Sequence, residues 1–183
     1  MRKNGYALLL ELLIACAIIL ILAGAAVPNL VRVAQVQNTN NVLAVLNAIN
    51  LAQGQFAQAY PGEGYAAQVG WLANSQRNQI GMICPSLTCQ CPNLLAPAYA
   101  SIFSGAGMTG TFSGYILTFS PGSTSPYINE QCNIWGMPKG VMGYTLTAIP
   151  QNSTAGTYFF YSDNSGVIRW SQGSPANIMS PVW

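Results

Sequence analysis

The sequence predicts an α+β fold: one long N-terminal helix packed on a small antiparallel sheet of three to four strands. Three observations predict it. Residues 6–31 form a nearly unbroken apolar run. Beyond it, Val42, Val45, Ile49, Ala52, Phe56 and Ala59 recur at three- and four-residue steps, the spacing of one helix face. The last third holds short segments in which apolar and polar residues alternate, as half-buried strands do.

The helix is expected from Tyr6 to about Tyr60. Its first part, 6–31, is apolar all round, the character of a membrane or filament-core helix. Its second part, 32–60, is amphipathic: Asn40, Asn47, Gln55 and Gln58 lie opposite the apolar stripe. Asn38-Thr39-Asn40-Asn41 is a run of poor helix formers and predicts a bend. Tyr60-Pro61-Gly62 ends the helix, since proline cannot continue it and glycine suits its cap. Residues 61–111 are rich in Gly, Pro, Ser and Cys, with a short helix expected around Ala66 to Gln79. The strand signals follow. Phe112 to Ser120 places Tyr115, Leu117 and Phe119 on one face. Gly143 to Ile149 does the same with Tyr144, Leu146 and Ala148. Thr157 to Tyr161 and Gly166 to Trp170 flank the turn-rich Ser162-Asp163-Asn164-Ser165-Gly166. The insertion Pro121 to Met142 carries Cys132, Trp135 and Lys139. No element is predicted for Ser171 to Trp183, where Pro175 and Pro181 discourage helix and central strand. The chain therefore divides into a leader, 1–5, an apolar helix segment, 6–31, an amphipathic half, 32–60, and a globular head, 61–183.

Only 5% of the residues are charged, against about 25% in ordinary soluble domains. There is no histidine, which removes histidine acid–base chemistry and histidine metal ligation. The acids Glu11, Glu63, Glu130 and Asp163 are scattered. No paired carboxylates, phosphate-binding glycine loop or nucleophile with its base can be assembled, so neither an enzyme nor a cofactor is expected. The net charge of +2 resides in Arg2 and Lys3, because Arg32, Arg77, Lys139 and Arg169 balance the four acids. General nucleic-acid binding has no electrostatic basis here. Asp163-Asn164-Ser165-Gly166 offers one carboxylate where calcium takes about six to eight oxygens, and reads as a turn. Asn152-Ser153-Thr154 fits the N-glycosylation pattern.

Glu11 is the residue singled out first. A lone acid within a membrane-length apolar run costs about 2.5 kcal/mol or more, so it calls for a partner, most simply from another copy of the chain. Cys16 lies in the same run. Cys84, Cys89, Cys91 and Cys132 lie in the head, and an even number in an exported domain favours disulfides. Three pairings are open, of which Cys89 with Cys91 is the most strained. A four-thiolate zinc site lacks the usual C-x2-C pairs.

The segment Gly5-Tyr6-Ala7-Leu8-Leu9-Leu10-Glu11-Leu12-Leu13-Ile14-Ala15, continued to Val27-Pro28-Asn29-Leu30, resembles the N-terminus of type IV prepilins and pseudopilins. The resemblance implies that prepilin peptidase cuts between Gly5 and Tyr6 and methylates the new N-terminus. It also implies that Glu11 pairs with the N-terminal amine of a neighbouring subunit during filament assembly. Glu11 is sixth rather than fifth after the cut, a rotation of about 100° on a helix. Leu20 stands where many members carry a helix-weakening glycine, a role left to Gly24 and Pro28. The strand segments also look like the sheet of such pilins. The implied partners are further copies and other pilins in a helical filament, prepilin peptidase, an inner-membrane assembly platform, and membrane lipids before assembly. The implied location is the inner membrane, then a surface filament. The alternatives are a pseudopilin of a type II secretion system and a minor pilin for adhesion or DNA uptake. From another class, Leu13-Ile14-Ala15-Cys16 resembles a lipoprotein signal box, but the residues after Cys16 stay apolar where a polar tether belongs.

Overall fold

The apolar stripe of the first helix decides where the chain packs. The computed structural model describes residues 5–59, 62, 64–73, 94–103, 108–125 and 140–183, with side chains of the first stretch described over 6–22 and 29–59. Helix α1 runs Gly5–Ala59. Val42, Val45, Leu46, Ile49, Ala52 and Phe56 on its second half are buried, while Asn40, Asn47, Gln55 and Gln58 are exposed. Ala59 is exposed as well, so the stripe ends at Phe56, where the helix leaves the sheet.

Five strands follow: β1 (Thr109–Phe112), β2 (Tyr115–Pro121), β3 (Tyr144–Pro150), β4 (Tyr158–Asp163) and β5 (Arg169–Gln172). They form one sheet in the order β1-β2-β3-β4-β5, each antiparallel to its neighbour. Tyr115, Leu117, Phe119, Tyr144, Leu146, Ala148 and Phe160 point to one face and are buried with the α1 stripe. Their alternation places every second side chain on the core face. A 3-10 turn, Val69–Leu72, and a short helix α2, Pro97–Ala100, close the flank of the core. Only this turn falls within the stretch expected to be helical from Ala66, and residues 74–79 lie outside the described residues.

The expected fold class needs correction in two respects. First, the sheet has five strands, not three to four. The segment Phe112 to Ser120, expected as one strand, is a hairpin. Ser113 (φ 47°) and Gly114 (φ 75°) both take positive φ and connect β1 to β2 with Phe112 opposite Tyr115. Two residues at φ > 0 form the type I′ connection whose twist suits a hairpin. Second, among the described residues no helix is long and apolar enough to cross a membrane. The apolar stretch with described side chains, Tyr6–Leu22, spans 17 residues, against about 20 for a crossing. The membrane-length helix expected over 6–31 is thus not borne out.

Asn38-Thr39-Asn40-Asn41, where a bend was expected, is helical backbone within α1. Such side chains weaken helices by competing for nearby backbone groups. Here three of them are engaged elsewhere. Asn38 Nδ2 donates to the Ala155 carbonyl (2.9 Å), Thr39 Oγ1 lies 3.3 Å from the Tyr115 hydroxyl, and Asn41 Nδ2 donates to Ser113 Oγ (3.2 Å).

The segment beyond β5, for which no element was predicted, turns back along that strand. The Trp170 amide donates to the Pro181 carbonyl and the Trp183 amide to the Ile168 carbonyl, each at 2.9 Å. Proline suits this edge position because only its carbonyl is used.

Candidate functional site

The two halves of α1 differ in what they touch. From Tyr6 to Leu22 every residue is exposed, and the large apolar side chains are 52–86% exposed. Leucine and isoleucine supply the bulk of this stretch, and Glu11 is its one charged residue. The residues four before and four after it are Ala7 and Ala15, neighbours of Glu11 along a helix face. Leu8 and Ile14, three residues away, flank it as well, and Glu11 and all four neighbours are exposed. Exposed apolar residues recur at Leu30, Val33 and Val36. The grip of the head on α1 begins at Gln35, whose Nε2 donates to the Ser153 carbonyl at 2.6 Å.

Further along, two amides inside the apolar stripe lock helix to head. Gln53 is fully buried. Its Nε2 donates to the Ala66 carbonyl (3.0 Å), and its Oε1 accepts from the Ala66 amide (2.8 Å). Asn50 Nδ2 donates to Ser162 Oγ (2.7 Å), and its Oδ1 accepts from the Tyr144 hydroxyl (3.0 Å). Burial, with Tyr65 and Asp163 nearby, pushes the Tyr144 hydroxyl well above the usual tyrosine range. Among the described residues no buried side-chain nitrogen or oxygen lacks a hydrogen-bond partner. Sequence reasoning missed Asn50 and Gln53. Their signal was present as polar residues three apart within an apolar stripe, a placement that is tolerated only when both amides are satisfied.

Gly5 and Tyr6, expected as the processing site, open α1, with Tyr6 86% exposed. Glu11 is exposed on the same stretch. Gly24 and Pro28 lie in helical backbone, so no break occurs at either, and their side chains fall outside the described residues. Cys84, Cys89, Cys91 and Cys132 also lie outside the described residues. Cys16 is a free, exposed thiol. Asp163-Asn164-Ser165-Gly166 forms the expected turn. Asp163 Oδ1 accepts from the Ser165 amide (2.9 Å), the Gly166 amide donates to the Asp163 carbonyl (2.9 Å), and Gly166 has φ 73°.

No family, no curated protein and no solved structure matches this chain. The reading of the site therefore rests on its own residues. Among the described residues no three metal-ligating side chains come together. What the arrangement offers is an uncovered apolar helix surface with one carboxylate on it, projecting from a fully satisfied polar and apolar core.

Proposed function

We propose that this chain is a structural subunit of a type IV pilus-like filament, assembled without covalent links through the apolar end of α1. The observation that carries the reading is the exposure of every large apolar side chain from Tyr6 to Leu22. Monomeric soluble proteins rarely leave apolar patches of more than a few hundred Å² uncovered. Burying each Leu or Ile against neighbouring copies is worth about 1.5–3 kcal/mol, and the gain repeats at every subunit added.

Glu11 gives that packing a register. A carboxylate taken from water into an apolar bundle without a cation costs several kcal/mol. Copies are therefore selected in which a positive group, the N-terminal amine of a neighbour, meets it. Cleavage between Gly5 and Tyr6 generates that amine on Tyr6, five residues before the acid. In the assembled filament the sheet and loops face outward. Their low charge makes a neutral, hydrogen-bonding exterior suited to contact with surfaces.

The test is electron microscopy of sheared surface material from cells making Glu11→Ala, beside N-terminal mass analysis of the natural protein. The expected outcome is loss of filaments in the variant, with a natural N-terminus at Tyr6 carrying one added methyl group. Normal filaments from Glu11→Ala, or a lipid-modified N-terminus at Cys16, would overturn the reading.

A further inference from the structure

The outer edge of β5 holds a short segment of this same chain in a seat built from aromatic rings. Val182 pairs with Arg169 as an isolated antiparallel bridge. Two backbone hydrogen bonds flank it, from Trp170 to the Pro181 carbonyl and from Trp183 to the Ile168 carbonyl, each 2.9 Å. Arg169 Nη1 donates to the Ser180 carbonyl at 2.9 Å. The Trp183 ring lies edge-on against Tyr158, Phe160 and Trp170, with centroids 5.4, 5.2 and 5.8 Å away. An open sheet edge is a template for another strand. At this edge the chain shows which strand fits: an extended segment ending in a tryptophan.

The hold is shallow. Trp183 remains 51% exposed and Val182 59%. The segment before it is ordered by its own turn. The Ser180 amide donates to the Asn177 carbonyl (3.0 Å), the Asn177 amide to Ser180 Oγ (3.0 Å) and the Met179 amide to Asn177 Oδ1 (2.8 Å). That turn keeps residues 181–183 presented as a unit, which lowers the ordering cost of docking. Upstream, Gly173 takes φ 81° and residues 173–176 form no helix or strand; the Ser171 hydroxyl donates to the Ser174 carbonyl and Ala176 is buried, so this connection must rearrange for the unit to leave its seat.

We propose that the β5 edge and the notch of Tyr158, Phe160 and Trp170 are an exchangeable strand-docking site. In a single chain its occupant is Pro181-Val182-Trp183. Between crowded copies its occupant is the same segment of a second copy. The exchange re-forms the docked contacts between copies and requires residues 173–176 to rearrange, the general condition for swapping an element. The proposal stands independently of the filament reading, since it uses no residue of the apolar helix end.

The experiment uses the full chain in detergent micelles and a fluorescent peptide of the sequence from Asn177 to Trp183. A chain lacking residues 181–183 is expected to bind the peptide saturably and at least tenfold more tightly than the intact chain does. The same peptide with Trp183→Ala is expected to lose that binding. Failure of a truncated chain with native near-UV circular dichroism to bind, or equal binding of both peptides, overturns the proposal. Should truncation unfold the head, W183A in the intact chain takes its place. In that variant the Trp170 amide is expected to exchange hydrogen at least tenfold faster, with the Phe119 amide in β2 unchanged and the peptide bound. Unchanged Trp170 exchange overturns the docking site. For exchange between copies, a photo-crosslinking residue at 183 is expected to yield inter-chain adducts with the 158–170 region. Intra-chain adducts alone overturn the exchange.

Discussion

Gln53 places a primary amide at full burial and satisfies it against both backbone groups of Ala66. Gln53→Ala removes both bonds and strands a buried N–H and C=O, each worth about 1–3 kcal/mol. The expected loss is about 2–4 kcal/mol in chemical denaturation, with the fold retained at low denaturant. The tyrosines next to α1 set a second expectation. Burial holds the Tyr115 and Tyr144 hydroxyls above the ordinary value of 10.0. The unfolded chain releases these protons from about pH 10 and the folded chain only at higher pH. Above that point the unfolded state binds fewer protons, so stability is full below about pH 10 and falls as pH rises past it. Thermal melts from pH 8 upward should show the fall, and Tyr144→Phe should flatten it. At this scale the apolar stripe was legible, because Val42, Val45, Ile49, Ala52 and Phe56 repeat at helical spacing. Asn50 and Gln53 were marked only by their place within the apolar stripe; their partners are more than ten residues distant, and no local pattern names those.

Among the elements, the β1–β2 hairpin is where local chemistry and sequence pattern part company. Tyr115, Leu117 and Phe119 alternate as core residues and are buried as such. β1, Thr109–Phe112, carries glycine and threonine and has no buried residue, so alternation gave no sign of it. What announces the turn is Ser113-Gly114, a glycine-containing pair of the kind that punctuates strands. Ser113 holds φ 47°, a conformation that costs most L-residues about 1–2 kcal/mol and asparagine less. Ser113→Asn should therefore raise stability by about 0.5 kcal/mol, read as a higher denaturation midpoint at unchanged slope. No gain would show that the Asn41 contact to Ser113 Oγ outweighs the turn preference. The helix shows the opposite case. The poor helix formers at 38–41 remain helical with three of the four side chains, Asn38, Thr39 and Asn41, engaged by Ala155, Tyr115 and Ser113, and tertiary partners of that kind cannot be read from propensity.

The whole molecule divides by what its surfaces can tolerate. The head and the second half of α1 share one core, whereas Tyr6–Leu22 touches nothing that covers it. A chain beginning at residue 29 should therefore keep the core and sediment as a monomer without detergent, while the full chain associates. Aggregation of the shortened chain would place the adhesive surface on the head instead. This division was readable in the sequence as a change from all-round apolarity to a one-sided stripe. The five-stranded count and the docked end were not, since both depend on edge pairings that a linear pattern does not encode. The strictly sequential strand order has a consequence for synthesis. Each strand pairs with its neighbour along the chain, so the sheet can assemble stepwise, with short loop closures everywhere but the long connection from β2 to β3. The helix face of Val42 to Phe56 leaves the ribosome first, yet Phe160 in β4 belongs to the same core. Its cover is complete only after about a hundred more residues, roughly 5–20 seconds of synthesis. For that interval the nascent chain carries bare apolar surface on both halves of one helix.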